Sequence, residues 1–337
     1  MSGAGAHPYA SKRVLVTGGA GFIGSNLALR LVDLGAEVAV LDAFLPDCGA
    51  NAFNLEPARE RIRLIRADLR DREAAAEALR GREIVFNLAG QVSHIDSMTD
   101  PRGDLGVNCD SHLVLLEACR RTNPAARVIY AGTRQQYGRP RYTPVDENHP
   151  LCPTDVNGIN KLAAEWYHRL YARLHGLHTI SLRLTNTYGP RQLIRHDRQG
   201  FLAVFIRRAL DGEPLRVFGD GRQLRDLNYV DDVVDAFLSA GTGGIAPGEV
   251  FNLGSPEVLS LRRIADLMVG LAGRGSVELV PFPDALKQID IGSYHGDFGK
   301  IHRVLGWAPR VSFEEGMRRT LAYYRSNGAH YRLPPGA

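Results

Sequence analysis

The sequence predicts an α/β protein of the Rossmann type, with a doubly wound parallel sheet and a smaller α/β cap. Two observations carry this prediction. Short apolar runs alternate with longer helical patterns over the first 185 residues, and a glycine-rich turn joins the first run to the first helix. After residue 185 the alternation breaks into shorter segments. We therefore expect one domain over residues 11–185 and a cap formed mainly by 186–330, from which short segments return to the sheet.

Six segments of the first part have the pattern of buried strands. They are continuous apolar runs, as expected for strands of a parallel sheet that is covered on both faces. The six are 13–17, 37–42, 62–68, 83–89, 127–132 and 178–184. Helical patterns lie between them, at 22–34, 72–80, 106–121 and 159–175. This order predicts a parallel sheet with helices on both faces.

After residue 185, short strand patterns and helical patterns occur together. Strand patterns occur in "LRVFG", "EVFNLG" and "SVELVPF", and helical patterns occur at 200–211, 230–240, 260–272 and 313–326. We expect these segments to cover the carboxyl edge of the sheet, which is where open α/β sheets bind ligands.

Composition excludes several classes of protein. Apolar residues make up 44% of the chain and charged residues 23%, which is ordinary for a soluble globular protein. The net charge of +4 is spread along the chain without a block of like charges, so we expect neither nucleic-acid nor membrane binding. There is no signal-like apolar segment, and the four cysteines lack CxxC spacing. We expect a cytoplasmic protein without a metal site.

The turn "TGGAGFIG" is typical of a dinucleotide site. Gly18, Gly21 and Gly24 follow the first strand and open the first helix, where they allow a tight turn, a close approach of pyrophosphate and close helix packing. Phe22 and Ile23 lie in the same turn. Asp42 ends the second strand, where a carboxylate accepts hydrogen bonds from a ribose diol and repels a 2′-phosphate. The predicted cofactor is therefore NAD.

The ends of the third and fourth strands complete the predicted nucleotide rim. Asp68 and Leu69 follow the third strand, and "NLAGQ" follows the fourth, which adds Leu88, Ala89 and Gly90. Asp68 also has an alternative role as the N-cap of the helix at 72–80, because Asp is favoured at such positions.

Several motifs resemble those of the extended short-chain dehydrogenase/reductase family, in particular its nucleotide-sugar epimerases and dehydratases of the UDP-glucose 4-epimerase type. They extend over nearly the whole chain and include "TGGAGFIG", "NLAGQVS", "YAGTRQQYG", "RLTNTYGPRQ", "VFGDGRQLRDLNYVDDVVDA", "FNLGS" and "LGWAP". The resemblance implies that residues 11–185 bind NAD and that 186–330 mainly bind a nucleotide-diphosphate sugar. It also implies that NAD oxidises a sugar hydroxyl, usually at C4, before hydride returns.

The resemblance assigns roles to individual positions. Thr133 matches the Ser or Thr that hydrogen-bonds the reacting hydroxyl, and Lys161 matches the Lys that binds the nicotinamide ribose. Arg225 matches the Arg that clamps the substrate pyrophosphate, although an ion pair with Asp220 or Asp231 is an alternative. The remaining positions implied at the nicotinamide, the sugar or its phosphates are Asn108, Gln91, Ser93, His94, Asn186 and Lys287.

Two departures from the family pattern concern acid/base chemistry. Dehydratases of this family carry Asp-Glu after the Thr, whereas this chain has Arg134 and Gln135, which disfavours dehydration. Arg134 either faces an anionic substituent such as a uronate carboxylate or is a surface residue. His94 adds a titratable group near the expected substrate, although most isolated histidines are structural or exposed.

The third departure is "DVNGINK", where Asn157 stands in place of the family's catalytic Tyr, four residues before Lys161. An amide orients a substrate or a water but cannot accept a proton, so Asn157 is either a re-aimed catalytic residue or a helix N-cap. Four groups could replace the lost base: Thr133 through a water, Tyr137, His94 or a tyrosine from the cap.

We interpret the chain as an NAD-dependent nucleotide-sugar epimerase that acts through a transient keto-sugar. The alternatives are a dehydratase or decarboxylase, and a non-catalytic protein that binds NAD and a sugar nucleotide. A dead scaffold should have lost Thr133, Lys161 and Arg225 together with the Tyr, yet all three are present. By resemblance we also expect a homodimer through the helices at 106–121 and 159–175, which carry apolar stripes.

Overall fold

The computed structural model describes residues 7–198 and 200–331. Twelve strands lie in these two ranges. In chain order they are β1 (Arg13–Thr17), β2 (Glu37–Asp42), β3 (Ile62–Arg66), β4 (Ile84–Asn87), β5 (Arg127–Thr133), β6 (His178–Leu184), β7 (Asn186–Tyr188), β8 (Pro214–Phe218), β9 (Leu224–Tyr229), β10 (Glu249–Asn252), β11 (Val258–Ser260) and β12 (Ser276–Val280).

Helices account for most of the other described residues. The α-helices are α1 (Phe22–Asp33), α2 (Arg72–Leu79), α3 (His94–Thr99), α4 (Pro101–Leu105), α5 (Ser111–Thr122), α6 (Val156–His175), α7 (Phe201–Asp211), α8 (Val230–Thr242), α9 (Leu261–Ala272), α10 (Asp284–Lys287), α11 (Gly299–Leu305) and α12 (Phe313–Asn327). Short 3₁₀ segments occur at Ala52–Arg61, Arg134–Tyr137 and Gly328–His330, and a π-helical turn occurs at Gly106–Asp110.

Seven strands form one parallel sheet in the order β10-β6-β5-β4-β1-β2-β3. The strand order reverses between β1 and β4, and a crevice forms at the carboxyl ends of strands on either side of such a switch point. Thr17 and Asn87 end these two strands as register partners, and the Thr17 hydroxyl donates to Oδ1 of Asn87 at 2.8 Å. The predicted doubly wound sheet is confirmed.

Helices cover both faces of this sheet. On one face, α1 and α8 bury Leu27, Leu31 and Phe237 against the strands. On the other face, α2, α5 and α6 bury apolar side chains such as Leu79 and Leu115. Because most of these strands are buried on both faces, they are mainly apolar, which is why their pattern was readable in the sequence; the outer strand β3 is more exposed.

A smaller α/β part lies beyond the sheet. It contains a three-stranded sheet, β11-β9-β7, and a two-stranded sheet, β12-β8, packed with α7, α9 and α12 around a separate apolar core. The predicted strand 249–254 belongs elsewhere, because Glu249–Asn252 pairs with β6 at the edge of the main sheet. The chain therefore returns to the first sheet after entering the second part.

Two helices near the site start differently from the sequence expectations. The predicted helix 106–121 begins with the π-helical turn and ends as α5, while the predicted helix 159–175 begins three residues earlier. Asp155 caps α6 by accepting a hydrogen bond from the Gly158 amide, so the interpretation of Asn157 as the N-cap is wrong. Asp71 caps α2, so the same interpretation of Asp68 is wrong as well.

In residues 7–198 and 200–331, no helix combines the length and apolar character needed to cross a bilayer. Cys48, Cys109, Cys119 and Cys152 are free thiols.

Candidate active site

A cavity of about 340 Å³ opens at the carboxyl edge of the main sheet. Both parts of the chain line it, because α7 and the segment after β6 face the ends of β1, β4 and β5. Most of the residues predicted for the cofactor lie in its wall: Gly18, Gly21, Phe22, Ile23, Gly24, Asp42, Asp68, Leu69, Leu88, Ala89, Gly90 and Lys161. Thr133, His94, Asn157 and Asn186, which were predicted for the sugar end, line the same cavity.

The glycine-rich turn has the form that an anion-binding helix start requires. Gly18 has φ of +65°, and a Cβ there would lie 2.8 Å from the Leu88 carbonyl oxygen. A Cβ on Gly24 would lie 2.3 Å from the Gly18 carbonyl oxygen, so the helix packs directly on the turn. At Gly21 the only contact would be that same oxygen, at 3.2 Å, which leaves its other side open to a ligand. The turn therefore fits a bound pyrophosphate.

Asp42 ends β2 beside this turn. Its Oδ2 accepts from the Ala20 amide at 3.0 Å, and its Oδ1 accepts from the Phe44 amide at 2.9 Å. Burial raises the pKa of Asp42, and the two amides oppose this effect. The carboxylate is thus fixed at the position where the ribose of a dinucleotide lies in such sheets.

Asp68 lies on the rim of the same cavity and forms an ion pair with Arg70, with 2.6 Å between Oδ2 and Nη2. The hydrogen bonds from Arg70 lower the pKa of Asp68, so the rim carries a charged carboxylate at neutral pH.

Thr133 ends β5 at the opposite wall of the cavity. Its Oγ1 accepts from the Gln135 amide at 3.2 Å, which starts the 3₁₀ turn Arg134–Tyr137. Since the hydroxyl is an acceptor in this contact, its own hydrogen is free to be donated toward the cavity. This is the geometry needed to hydrogen-bond a sugar hydroxyl.

Arg134 follows directly and also lines the cavity. Its Nη2 donates to Oδ1 of Asn186 at 3.1 Å, and its guanidinium lies 4.9 Å from the centre of the Tyr294 ring. Its Nη1 is buried without a hydrogen-bond partner, and no carboxylate of the described residues lies within ion-pair distance. Burial lowers the pKa of Arg134. The alternative that Arg134 is a surface residue is wrong.

Asn157 lies in the first turn of α6, and only 2% of it is exposed. Its Nδ2 donates to the Gln91 carbonyl oxygen at 2.9 Å and to Oδ2 of Asp104 at 3.2 Å. Asp104 is itself buried and also accepts from the side-chain amides of Gln91 (2.9 Å), Asn108 (2.9 Å) and Asn160 (2.7 Å). We call Asp104 and these four amide side chains the amide cluster. Asn157 therefore satisfies a buried carboxylate, and its amide nitrogen is turned away from a substrate.

Lys161 lies one turn further along α6, beside the amide cluster. Burial lowers the pKa of Lys161 to about 8, and the negative charge of Asp104 opposes this effect. A Cβ on Gly90 would lie 3.0 Å from Nζ of Lys161, so only glycine leaves room for the ammonium at this point of the cavity. Lys161 is thus a cation at neutral pH, placed where it can donate to a bound cofactor.

His94 begins α3 and contacts the N-cap of α6. Its Nδ1 lies 2.9 Å from Oδ2 of Asp155, although the approach is not that of a linear hydrogen bond. Burial raises the pKa of Asp155, but contact with His94 and hydrogen bonds from Gly158 and Gln135 outweigh this, so the pKa lies below its usual value. The imidazole is 38% exposed and lines the cavity.

Five predicted site residues do not line this cavity. Gln91, Ser93 and Asn108 lie behind its wall: Gln91 and Asn108 belong to the amide cluster, and Ser93 caps α3. Lys287 is exposed and pairs with Asp284 at 2.9 Å.

Arg225, the fifth, is 6% exposed and donates to the carbonyl oxygens of Leu224 and Gly292. The acidic residue nearest to Arg225 is Asp290, at 3.9 Å, so the predicted alternative of a pair with Asp220 or Asp231 is wrong. Burial lowers the pKa of Arg225 to about 10, and the charge of Arg134 adds to this effect. The positive charges of Arg134 and Arg225 therefore lie close together.

No tyrosine is among the described residues that line the cavity. Tyr137 is fully buried, its hydroxyl donates to Oδ1 of Asn252, and it accepts from Nη1 of Arg183. Burial raises the pKa of Tyr137 to about 12. Tyr137 and a cap tyrosine are therefore excluded as replacements for the missing base.

Sequence reasoning overlooked two acidic residues of the site. Asp104 lies four residues before Asn108, which places both side chains on one face of a helix. Asp155 immediately precedes a helical pattern, and Asp is among the preferred N-caps. Both signals were present in the sequence.

Residues 14–254 match the model of the NAD dependent epimerase/dehydratase family. The chain belongs to this family. The resemblance read from the sequence motifs is thereby confirmed, and NAD is confirmed as the cofactor, in agreement with the glycine-rich turn and Asp42.

Relatives and solved structures of the family agree over nearly the whole chain. The chain is 34% identical over 315 residues to the UDP-glucose 4-epimerase of Mycolicibacterium smegmatis, covering 93% of this chain and 99% of that protein. It is 32% identical over 324 residues to UDP-glucuronic acid decarboxylase 1 of Xenopus tropicalis, covering 95% and 73%.

Among solved structures, an epimerase of Methanothermobacter thermautotrophicus superposes with a TM-score of 0.90 at 27% identity, covering 97% of each chain. The UDP-glucose 4-epimerase of Thermus thermophilus, in complex with NAD, superposes with a TM-score of 0.82 at 34% identity, covering 93% of this chain and 99% of that one. These family members catalyse different reactions. Membership therefore establishes an NAD-dependent type of enzyme, and the particular reaction has to be inferred from the residues of the site.

Proposed function

We propose that this protein epimerises a nucleotide-diphosphate sugar through a transient 4-keto intermediate. The observation that carries the proposal is the shared cavity, in which Thr133 faces the same space as Lys161 and the glycine-rich turn. Bound NAD supplies the hydride acceptor and then the hydride donor. The role of the protein is to hold the sugar carbon at the nicotinamide and to manage the hydroxyl proton.

Each residue has a role in this proposal. The turn at Gly18 and Gly21 holds the pyrophosphate of NAD, Asp42 its adenosine ribose, and Lys161 the ribose at the nicotinamide end. Thr133 hydrogen-bonds the reacting hydroxyl, and Asn186 contacts the sugar nucleotide. Arg225 lies outside the cavity wall and adds positive charge beside Arg134. Asn157 acts through the amide cluster and is a positioning residue. Residues 11–185 bind mainly NAD, and 186–330 mainly the substrate.

Dehydration is disfavoured by the segment after Thr133. Arg134 and Gln135 supply neither a carboxylic acid to protonate a leaving hydroxyl nor a carboxylate to remove a proton from carbon. The side chain of Gln135 donates to Asp155 at 3.1 Å and is thus committed to the wall of the site.

A second candidate is the epimerisation of a nucleotide-linked uronic acid. It is favoured by Nη1 of Arg134, a buried guanidinium nitrogen without a partner in the cavity wall beside Thr133. A guanidinium binds a carboxylate through paired hydrogen bonds, and the C6 carboxylate of a uronate lies next to a reacting C4. Similarity to UDP-glucuronic acid decarboxylase 1 also supports a uronate.

The test is incubation of the NAD-loaded protein with a panel of UDP-, dTDP-, CDP- and GDP-glucose and UDP-glucuronate, followed by chromatography and mass spectrometry. An epimerase gives a product of unchanged mass. Loss of water identifies a dehydratase, and loss of carbon dioxide identifies a decarboxylase. Absence of product with every sugar would refute the proposed function and favour the non-catalytic alternative.

Arg134→Leu separates the two candidates. If the substrate is a uronate, this variant loses about 10- to 100-fold in kcat/KM for UDP-glucuronate, since it removes a charge-assisted contact. Equal losses for UDP-glucose and UDP-glucuronate would contradict the uronate candidate.

The homodimer and the compartment are also part of the proposal. Ile159, Trp166 and Leu174 are each more than half exposed and lie along one side of α6, which suits a partner helix of a second copy. The free cysteines suit the cytoplasm. Light scattering that gives the mass of a monomer at micromolar concentration would contradict the dimer.

A further inference from the structure

We propose that His94, held by Asp155, is the catalytic acid/base that takes the place of the family's missing tyrosine. The inference rests on the proposed function, because it concerns the proton of the same sugar hydroxyl.

The wall of the cavity leaves few groups that can accept a proton. Thr133 and Asn157 cannot, and Lys161 is protonated at neutral pH because its pKa is about 8. Asp42 is bonded to two backbone amides, and Asp68 is paired with Arg70. Among the described lining residues, His94 is the only histidine. Imidazole is also the side chain whose ordinary pKa lies nearest to neutrality.

Asp155 orients the ring. The 2.9 Å ion-pair contact uses Nδ1 of His94, which leaves Nε2 as the ring nitrogen for a ligand. Asp155 is fixed in turn by the Gly158 amide and by the side chain of Gln135. A buried carboxylate beside Nδ1 favours the tautomer with the proton on Nδ1, which leaves Nε2 free to accept a proton.

The same contacts connect His94 to Thr133, which lines the same cavity. Gln135 donates its side-chain amide to Asp155 and its backbone amide to Thr133 Oγ1. His94, Asp155, Gln135 and Thr133 are therefore consecutive neighbours along one wall. α3 packs on the start of α6, where the Asn157 backbone amide donates to the Ser97 hydroxyl at 3.3 Å. This packing places His94 over the turn where the family has its tyrosine.

In the oxidation step, the O–H bond of the sugar hydroxyl breaks, and its proton goes to Nε2 of His94. The hydride of the same carbon, which leaves with the C–H electron pair, would be taken up by bound NAD⁺, and the carbon would be oxidised to a ketone. After the keto-sugar turns its other face, hydride returns to carbon and His94 returns the proton to oxygen, so the cycle is redox-neutral.

The first test uses His94→Asn, which keeps a nitrogen near Asp155 but lacks Nε2. We expect kcat to fall about 10²- to 10⁴-fold, as for loss of a positioned base, with KM changed less than about threefold. The control is His302→Asn, because His302 lies exposed on α11, away from the cavity wall. It should keep wild-type kinetics.

The second test separates chemistry from structure. His94→Gly should regain at least about tenfold in kcat when imidazole is added, whereas His302→Gly and wild type should not respond. Asp155→Asn keeps an N-cap for α6, since Asn is also favoured there, but removes the charge. It should lower kcat about tenfold at constant KM and show no rescue by imidazole.

The third readout is chemical modification of His94 rather than a reaction rate. Diethyl pyrocarbonate should modify the partly exposed His94 in the NAD-loaded protein, and whichever sugar of the panel is turned over should protect it, as read by peptide mass spectrometry. His302 should be modified equally in both samples.

The outcomes distinguish the two proposals. Wild-type turnover together with full activity of His94→Asn, or modification of His94 unaffected by a turned-over sugar, would overturn the role of His94 alone. No turnover by the wild type would overturn the proposed function, and this role with it.

Discussion

The side-chain amide of Asn157 donates to the buried carboxylate of Asp104 at 3.2 Å, and it donates to the Gln91 carbonyl oxygen as well. Asn157 is therefore part of a satisfied polar group in the wall of the cavity. Asn157, at the position where the sequence resemblance expects a tyrosine, thus has structural partners of its own.

Asn157→Tyr tests this relationship. A phenol cannot make both donations, so we expect the free energy of unfolding to fall by about 1–2 kcal/mol, the cost of lost buried hydrogen bonds. Turnover should not rise, because in our proposal His94 already accepts the proton of the sugar hydroxyl. Chemical denaturation and steady-state kinetics measure the two effects. Asn157→Ala is the control, because it removes the same hydrogen-bond donors without adding the volume of a tyrosine ring. A gain in kcat of about tenfold for Asn157→Tyr would show that the site is degraded.

Asp42→Asn should weaken the preference for NAD over NADP. The carboxylate repels a 2′-phosphate, and Arg66 is its register partner on β3, so loss of the charge should shift the ratio of affinities toward NADP by about 10- to 100-fold. Tryptophan-quenching or calorimetric titrations with both cofactors measure this ratio. Asp68→Asn, on the same rim, should leave the ratio unchanged. An unaltered ratio in Asp42→Asn would contradict the role of Asp42.

The lowered pKa of Lys161 predicts that cofactor binding depends on pH. Its protonated form attracts the anionic dinucleotide, and its pKa of about 8 means that the charge is lost as pH rises past 8. We expect NAD to bind roughly tenfold more weakly at about pH 9 than at about pH 7. Lys161→Met should bind weakly with no such slope, whereas Lys300→Met should behave as wild type, since Lys300 pairs with Glu249 away from the cavity. A flat wild-type profile would refute this assignment.

Glu165→Gln should strongly destabilise the protein. Glu165 and Arg183 form a fully buried bidentate pair with N···O distances of 2.9 and 2.6 Å. Breaking such a pair leaves a buried charge uncompensated and costs about 3–5 kcal/mol. The exposed pair of Glu83 with Lys12 provides the control, and Glu83→Gln should cost less than about 1 kcal/mol. Urea denaturation that gives equal losses for the two variants would contradict this expectation.

The main sheet was largely predictable because most of its strands are buried on both faces and are therefore mainly apolar; the outer strand β3, which exposes Arg63 and Arg66, is the exception. In the second part, β8 and β12 were predicted from "LRVFG" and "SVELVPF", whereas β7, β9 and β11 were not. β9 carries Arg225 and Asp226 in its interior, so its pattern does not resemble a strand, and β7 and β11 are only three residues long. Such strands are stabilised by their pairing, which depends on distant segments.

The sequence predicted which residues belong to the site better than it predicted their hydrogen-bond partners. The glycine-rich turn and Asp42 are local in sequence, and their positions agreed with expectation. The orientation of Asn157 depends on Gln91 and Asp104, which come from other segments, so no local pattern could predict it. The pairing of His94 with Asp155 joins two segments far apart in the chain and depends on α3 packing against α6.

The position of β10 has a consequence for attempts to isolate the NAD-binding part. β10 forms an outer strand of the main sheet beside β6, although it comes from residues 249–252. A fragment that stops at residue 185 would leave the backbone N–H and C=O groups of Ile180–Arg183 unpaired along an apolar edge, which invites aggregation. Expression trials should therefore keep the chain intact or provide a substitute edge strand.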